Sequence, residues 1–242
     1  MGDPRLRGKK AAVTGGGKGL GRALVLALAR EGAEVAFSYA RSRSGAEETA
    51  ASIAREGRRV FIGAADARRP GEMARFVDEG AEALGGLDLL VNNVGVFKKA
   101  PLEELTEELL DEAFDVNVKA AVMASRAAAP HMRKRGGGAI VNVASLGGLQ
   151  AWRSHLPYCA SKAALLMATR CLALALAPQI RVNAVAPGII EPPGAGEPVL
   201  EKIPQRRFGT PAEVVETVLF LAAGSGYTTG EVIRVDGGRA LR

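Results

Sequence analysis

The stretch Ala11-Ala12-Val13-Thr14-Gly15-Gly16-Gly17-Lys18-Gly19-Leu20-Gly21 decides the fold. Its first four residues are small, apolar or β-branched and end a strand. From Leu20 to about Arg30 the apolar residues recur at helical spacing, and Gly32 stops the helix. Gly15, Gly19 and Gly21 lie between, spaced G-x-x-x-G-x-G. Glycine allows a tight turn and a close backbone approach to phosphate. The helix that follows offers free N–H groups and the positive end of its dipole to an anion. A glycine turn between a first strand and a first helix reads as a dinucleotide site. Gly15, Lys18, Gly19, Leu20 and Gly21 are its expected residues.

Outward from this turn, short β-branched runs alternate with helical patterns. Strands are expected at Glu34 to Tyr39, Val60 to Ile62, Leu87 to Val91, Ala139 to Val143, Ile180 to Val185 and Val232 to Val235. Helices are expected over Gly45 to Glu56, from Pro70, in two pieces from Leu102 to Lys134, over Leu156 to Ala177, and from Pro211. Strict alternation implies an α/β fold, a seven-stranded parallel sheet with helices on both faces. Right-handed crossovers make it a doubly wound Rossmann-type sheet. No linker divides the chain, so residues 1–242 are expected to form one dinucleotide-binding domain. The segment rich in Pro and Gly after Pro187 suggests a short substrate lid at about 188–205.

The end of the second strand bears on which dinucleotide fits. It reads F-S-Y-A-R-S-R-S, with no acid to take the adenosine ribose hydroxyls. Arg41, Ser42 and Arg43 stand there instead, with Lys18 close by in the glycine turn. An arginine fork suits a 2′-phosphate, so NADP(H) is expected over NAD(H). Further on, Tyr158 and Lys162 stand four apart in Y-C-A-S-K, thirteen residues after Ser145. Positions i and i+4 share a helix face. An ammonium beside a phenol favours phenolate, so a lowered tyrosine pKa and a proton-transfer role are expected.

These pieces occur in one register: T-G-G-G-K-G-L-G, Asp66, N-N-V-G at Asn92 to Gly95, Asn117, Ser145, Y-C-A-S-K, P-G at Pro187 and Gly188, and V-D-G-G near the end. Over nearly its whole length the chain resembles the short-chain dehydrogenase/reductase family. The resemblance implies that Tyr158 is the acid in reduction and the base in oxidation, and that Ser145 holds the substrate carbonyl. It implies that Lys162 tunes Tyr158 and holds the nicotinamide ribose, and that Asn117 anchors a water leading from Lys162 to solvent. Asp66 would meet the adenine amino group, Asn93 and Gly95 would line the adenosine ribose, and Pro187 and Gly188 would wall the nicotinamide. A homotetramer is also implied.

Departures bear on the substrate. A Thr often follows the P-G of the family, where this chain has Pro192 beside Pro193, and Val94 replaces an Ala. The last third is similar to 3-oxoacyl-carrier-protein reductases and to bacterial pteridine reductases. Against the latter, Ser145 and Gly19 stand where Asp and Arg are usual. Against the former, C-L-A-L-A with Leu174 replaces S-L-A-R-E. A 3-oxoacyl-thioester-like or other small ketone is therefore expected as substrate. Pteridine reduction, or NADP(H) sensing without turnover, stands as the alternative.

Composition narrows the rest. Two cysteines, Cys159 and Cys171, sit too far apart on one helix to bridge, and no Cys/His spacing resembles a metal site. His131 and His155 are expected to be structural or surface residues. The net charge of +6 is dispersed and no nucleic-acid module is visible. No apolar run suggests a membrane span, and the basic start lacks a signal-peptide core. A cytoplasmic enzyme with neither membrane nor nucleic-acid partners is expected.

Overall fold

In the computed structural model, residues 4–191 and 200–241 are described. Seven strands form one parallel sheet in the order β3-β2-β1-β4-β5-β6-β7. They are β1 (Lys10–Val13), β2 (Glu34–Tyr39), β3 (Val60–Ala64), β4 (Leu89–Asn92), β5 (Gly138–Val143), β6 (Ile180–Pro187) and β7 (Val232–Val235). The α-helices that lie wholly among the described residues are α1 (Gly19–Arg30), α2 (Arg43–Arg55), α3 (Glu72–Leu84), α4 (Glu107–Phe114), α5 (Ala120–Lys134), α6 (Leu156–Leu176) and α7 (Pro211–Leu219).

Alternation along the strands divides the core in two. Ala11, Val13, Val35, Phe37 and Val91 point to one face, where they meet Leu24, Leu28, Ile53 and Val218 of α1, α2 and α7. Ala12, Ala36, Leu90 and Ile140 point to the other, against Phe76, Leu84, Ala128 and Met132 of α3 and α5. Apolar side chains on both faces are what a fully covered parallel sheet requires.

The elements arrive in the expected order, with four local differences. Pro70 does not open α3: the chain turns through Gly71 at φ +81°, and the helix starts at Glu72. β4 begins at Leu89 because the Asp88 carboxylate accepts from the Lys10 N–H (2.9 Å) and pairs with Arg135 (3.0 Å). A π-helical turn, Asp115–Lys119, joins α4 to α5. Finally, α6 is long and apolar enough to cross a membrane by length and composition, which the sequence reading did not find. Its buried Leu165 and Leu166 pack with Ala144 and Ala184 of the sheet side, and it carries Lys162 mid-length. One face of it packs on the sheet, while Met167 and Leu174 face outward.

β1 and β4 are neighbours, so the crossovers leave in opposite directions on either side of them. A crevice opens at such a switch point, at the carboxyl ends of the strands. The expected residues Gly15 to Gly21, Arg41, Ser42, Asp66, Asn93, Gly95, Ser145 and Gly188 follow those ends, and Pro187 is the last residue of β6. Of the lid expected at about 188–205, residues 192–199 lie outside the described residues, Pro192 and Pro193 among them.

Candidate active site

The crevice is a cleft of about 980 Å³. Ten of the expected cofactor residues line it: Gly15, Lys18, Gly19, Leu20, Gly21, Arg41, Ser42, Asp66, Asn93 and Gly95. Its glycine floor is enforced by close approach. A Cβ on Gly21 would lie 1.9 Å from the Gly15 carbonyl oxygen, and one on Gly16 would lie 2.5 Å from the Phe37 ring. Gly19, at φ +54°, has open space where its Cβ would be. No side chain caps α1, so its first turn faces the cleft with its own N–H groups.

Asn93 lines the cleft and also braces its floor. Its amide donates to the Thr14 and Gly15 carbonyls, both at 3.0 Å, while its backbone N–H donates to the Thr14 hydroxyl at 2.9 Å. It therefore pins the glycine turn to the end of β4. Asn92, its neighbour, is buried and donates to Asn142 (2.8 Å) and Ser125 (3.1 Å), tying the sheet to α5.

The charged wall is selective. Arg41 lines the cleft with Lys18, whereas Arg43 turns to Glu47 on α2 at 2.9 Å. Asp66 is gripped by Arg68, whose Nε lies 3.0 Å from Oδ1. That guanidinium holds the Asp66 carboxyl down at about 2. Arg68 itself lines the cleft and was not anticipated from the sequence.

At the inner end of the cleft, a Cβ on Gly95 would lie 3.1 Å from the Asn117 Oδ1 and 3.3 Å from the Lys162 Nζ. Gly95 thus joins the cleft to the second group of residues. Asn117 lies in the π-helical turn; its Oδ1 accepts from the Val96 N–H (2.8 Å), and its Nδ2 donates to the Val96 carbonyl (3.1 Å) and the Ser161 hydroxyl (2.9 Å). Lys162 is buried and donates to the Val143 carbonyl at 2.9 Å. Burial pulls its pKa down to about 8. Tyr158 sits in the first turn of α6, with the Ser145 hydroxyl near enough to influence its phenol. Ser145 caps a short 3-10 turn, its hydroxyl accepting from the Gly147 N–H at 3.1 Å.

The profile described as "Enoyl-(Acyl carrier protein) reductase" matches residues 15–240. The 7alpha-hydroxysteroid dehydrogenase of Clostridium sardiniense is 38% identical over 250 residues, covering 98% of this chain and 95% of the relative. The 3-oxoacyl-(acyl-carrier-protein) reductase of Thermotoga maritima is 36% identical over 250 residues, covering 98% and 100%. A short-chain dehydrogenase of Burkholderia cenocepacia, crystallised in complex with NADP, superposes with a TM-score of 0.92 at 37% identity, covering 97% and 99%.

The chain belongs to the short-chain dehydrogenase/reductase family.

As a member of that family it is an oxidoreductase of the CH–OH/C=O couple. One expectation about this short-chain dehydrogenase/reductase is overturned. The Tyr158 phenol is not acidified by Lys162; burial pushes it up, and the nearby Ser145 hydroxyl only partly offsets that. The reason is direction. Lys162 reaches under Gly95 to the Val143 carbonyl and is not among the groups that shift the phenol. Pro187 ends β6, and the Gly188 N–H donates to the Val235 carbonyl at 2.9 Å. A Cβ on Gly188 would lie 2.9 Å from the Asp236 Cα, so this pair packs against the V-D-G-G turn and does not line the large cleft.

Aromatic rings enclose Tyr158, and the sequence reading did not single them out. Phe97 meets it edge-on at 4.7 Å, and Trp152 stacks on it at 6.0 Å with 22° between planes. His155, expected to be structural or at the surface, touches both Phe97 (5.0 Å) and Trp152 (6.0 Å). Gly147 and Gly148 allow this packing: a Cβ on Gly147 would lie 3.1 Å from the Tyr158 ring, and one on Gly148 2.8 Å from the Lys162 backbone. The motif S-L-G-G was the signal available for it.

Proposed function

We propose that the protein is an NADP(H)-dependent carbonyl reductase acting on a 3-oxoacyl-thioester-like or other small ketone. The observation that carries this reading is the meeting of Tyr158, Ser145 and Lys162 at the inner end of a cleft shaped for a dinucleotide. The residues present fit NADP(H): Gly19 leaves open space, the first turn of α1 is uncapped by side chains, and Lys18 and Arg41 line the wall. Lys18, Arg41 and Ser42 would hold the 2′-phosphate, Asp66 the adenine, Asn93 and Gly95 the adenosine ribose, and Tyr158 and Lys162 the nicotinamide riboside beside Pro187 and Gly188. Bound NADPH supplies the hydride.

The chain's own part is the proton and the oxygen. The Ser145 hydroxyl donates to the substrate carbonyl and steadies the charge that develops on it. The Tyr158 O–H donates its proton to that oxygen. A phenol raised by burial is fully protonated at neutral pH, which suits reduction. Lys162 adds positive potential to the same corner, and Asn117 fixes the turn beside it. Pteridine reduction and silent NADP(H) sensing are not favoured: the serine, tyrosine and lysine are all present, and the named relatives act on ketoacyl and hydroxysteroid substrates.

Cofactor choice is tested by steady-state kinetics with NADPH and NADH. The wild type has the lower KM for NADPH. Arg41→Gln raises that KM about tenfold or more, the scale of a charge-assisted hydrogen bond, and leaves the KM for NADH unchanged. A lower KM for NADH in the wild type contradicts the assignment.

The reading extends to a single-domain cytoplasmic homotetramer with no membrane or nucleic-acid partner. Support comes from free thiols at Cys159 and Cys171 and from apolar side chains left outward on α6, Met167 at 55% and Leu174 at 84% exposure. A solution mass of four chains is expected from light scattering, and a monomer counts against it.

A further inference from the structure

We propose that the pocket behind Trp152 binds an anionic group, a carboxylate or a phosphate, carried by the carbonyl substrate, and that Arg239 is the specificity-determining cation. The proposal rests on the reading of Tyr158 as the proton donor to that substrate. The pocket measures about 480 Å³ and is lined by Gln150, Trp152, Glu201, Lys202 and Arg239. None of these residues lines the dinucleotide cleft, so the anion is not one of the cofactor's own phosphates. Among the lining residues two cations face one carboxylate, which leaves a positive balance.

Position links the pocket to the reaction. One indole neighbours both the cation and the phenol: the Arg239 guanidinium lies 5.7 Å from the Trp152 ring centroid, and the same ring stacks on Tyr158 at 6.0 Å. A ketone held at Tyr158 and Ser145 would thus extend along the indole towards Arg239. Among the described residues, Arg239 takes part in no ion pair.

The cation is also held in place. Arg239 rides on a turn fixed by Asp236, whose carboxylate accepts from the Gly238 N–H (3.0 Å) and the Ala240 N–H (2.8 Å). Gly237 and Gly238, at φ +60° and +84°, press against Ile203 and Pro204, where added Cβ atoms would lie 2.9 and 3.0 Å away. Gln150 donates to the Ala240 carbonyl at 3.4 Å from the other side. A planar guanidinium already ordered over an aromatic face loses little freedom when it takes a carboxylate or phosphate in its fork. Lys202 adds a second positive charge at the rim.

The test compares methyl-ketone carboxylates of increasing chain length, from levulinate upward, with their carboxamides, at saturating NADPH. In each turnover the hydride goes to the carbonyl carbon and the proton to its oxygen, leaving NADP+ and the alcohol. At the best chain length the acid has a kcat/KM at least about tenfold above its amide. Arg239→Gln removes that advantage by raising KM for the acid, leaving kcat and the amide within about twofold, and Arg239→Lys restores part of it.

A second readout needs no turnover. Trp152 is the single tryptophan of the chain, so its fluorescence reports the pocket directly. Hexanoate, hexanamide and butyl phosphate are titrated into the enzyme with NADP+. Tighter binding of hexanoate or butyl phosphate than of hexanamide supports the proposal, and the tighter of the two identifies the anion. If no ketone is reduced but the anion preference persists and depends on Arg239, the pocket stands and the reductase reading falls. Equal binding of acid, phosphate and amide, or a preference that survives Arg239→Gln, overturns the proposal.

Discussion

Tyr158→Phe lowers turnover in carbonyl reduction at least about 100-fold, the low end for removing a general acid, while NADPH binds nearly as before. The two halves of this expectation come from different places. Turnover falls because the lost atom is the hydroxyl that lies with Ser145 at the inner end of the cleft. Binding is kept because the residues that shape the cleft floor, Gly15 to Gly21 with Asn93, touch each other and not Tyr158. The fold should be indifferent. The phenylalanine ring keeps the edge contact with Phe97 and the stack on Trp152, and Ser145 keeps its bond from the Gly147 N–H. A stability change within about 1 kcal/mol is expected, the net worth of one hydrogen bond. Kinetics and a cofactor titration on the same preparation check both halves. Turnover within about tenfold of wild type would remove the proton-donor role.

Lys162→Met separates function from stability in the opposite sense. Turnover falls at least about 100-fold, the scale for removing one preorganised charge from a transition state, yet the fold is not weakened. A buried ammonium with its pKa pulled down to about 8 is a standing cost in the folded state. Against an unfolded value of about 10.4, that is on the order of 3 kcal/mol. Methionine removes the cost and forfeits one hydrogen bond to the Val143 carbonyl, worth about 1 kcal/mol. A net gain of about 1–2 kcal/mol at neutral pH is expected.

The pH dependence has a definite sign. Below about pH 8 both folded and unfolded chains hold the proton, and the burial cost is borne in full. Between about 8 and 10.4 the folded chain has released the proton while the unfolded chain retains it, so wild-type stability rises relative to the variant. Urea denaturation of both proteins at pH 7 and pH 9.5 measures this difference. A variant less stable than wild type by more than about 2 kcal/mol at pH 7, or a gap that does not narrow as pH rises, counts against this view of Lys162.

The sequence alone revealed the order of strands and helices, because apolar periodicity switches cleanly between two and 3.6 and glycines mark the turns. The glycine turn, Arg41 and the tyrosine–lysine pair were legible from local spacing, whereas Asp66 came only from the resemblance to the family. What escaped was direction and company. The spacing of Tyr158 and Lys162 puts both on one side of α6, but it does not say where the lysine reaches. It reaches to Val143, and burial raises the phenol with no opposing shift from the lysine. Arg68 escaped because it becomes a cleft residue only through its grip on Asp66. Phe97, Trp152 and His155 come from two separate loops with no periodicity to announce them, and only the fold brings their rings to Tyr158. The bracing role of Asn93 also escaped, because its amide bonds to the Thr14 and Gly15 carbonyls join two strand ends that lie far apart in the chain. The π-helical turn around Asn117 was likewise invisible, because one widened turn barely disturbs an apolar pattern.

The measurement that bears most directly on the account is a double-variant cycle on kcat/KM for ketone reduction, with Ser145→Ala, Tyr158→Phe and the pair together. If both hydroxyls act on one carbonyl oxygen, each single change costs at least about 100-fold and the pair costs little more than Tyr158→Phe alone, as expected of groups that work as a unit. Losses that multiply, or a Ser145→Ala variant with near wild-type kcat/KM, would mean that the two side chains do not meet at the reacting oxygen.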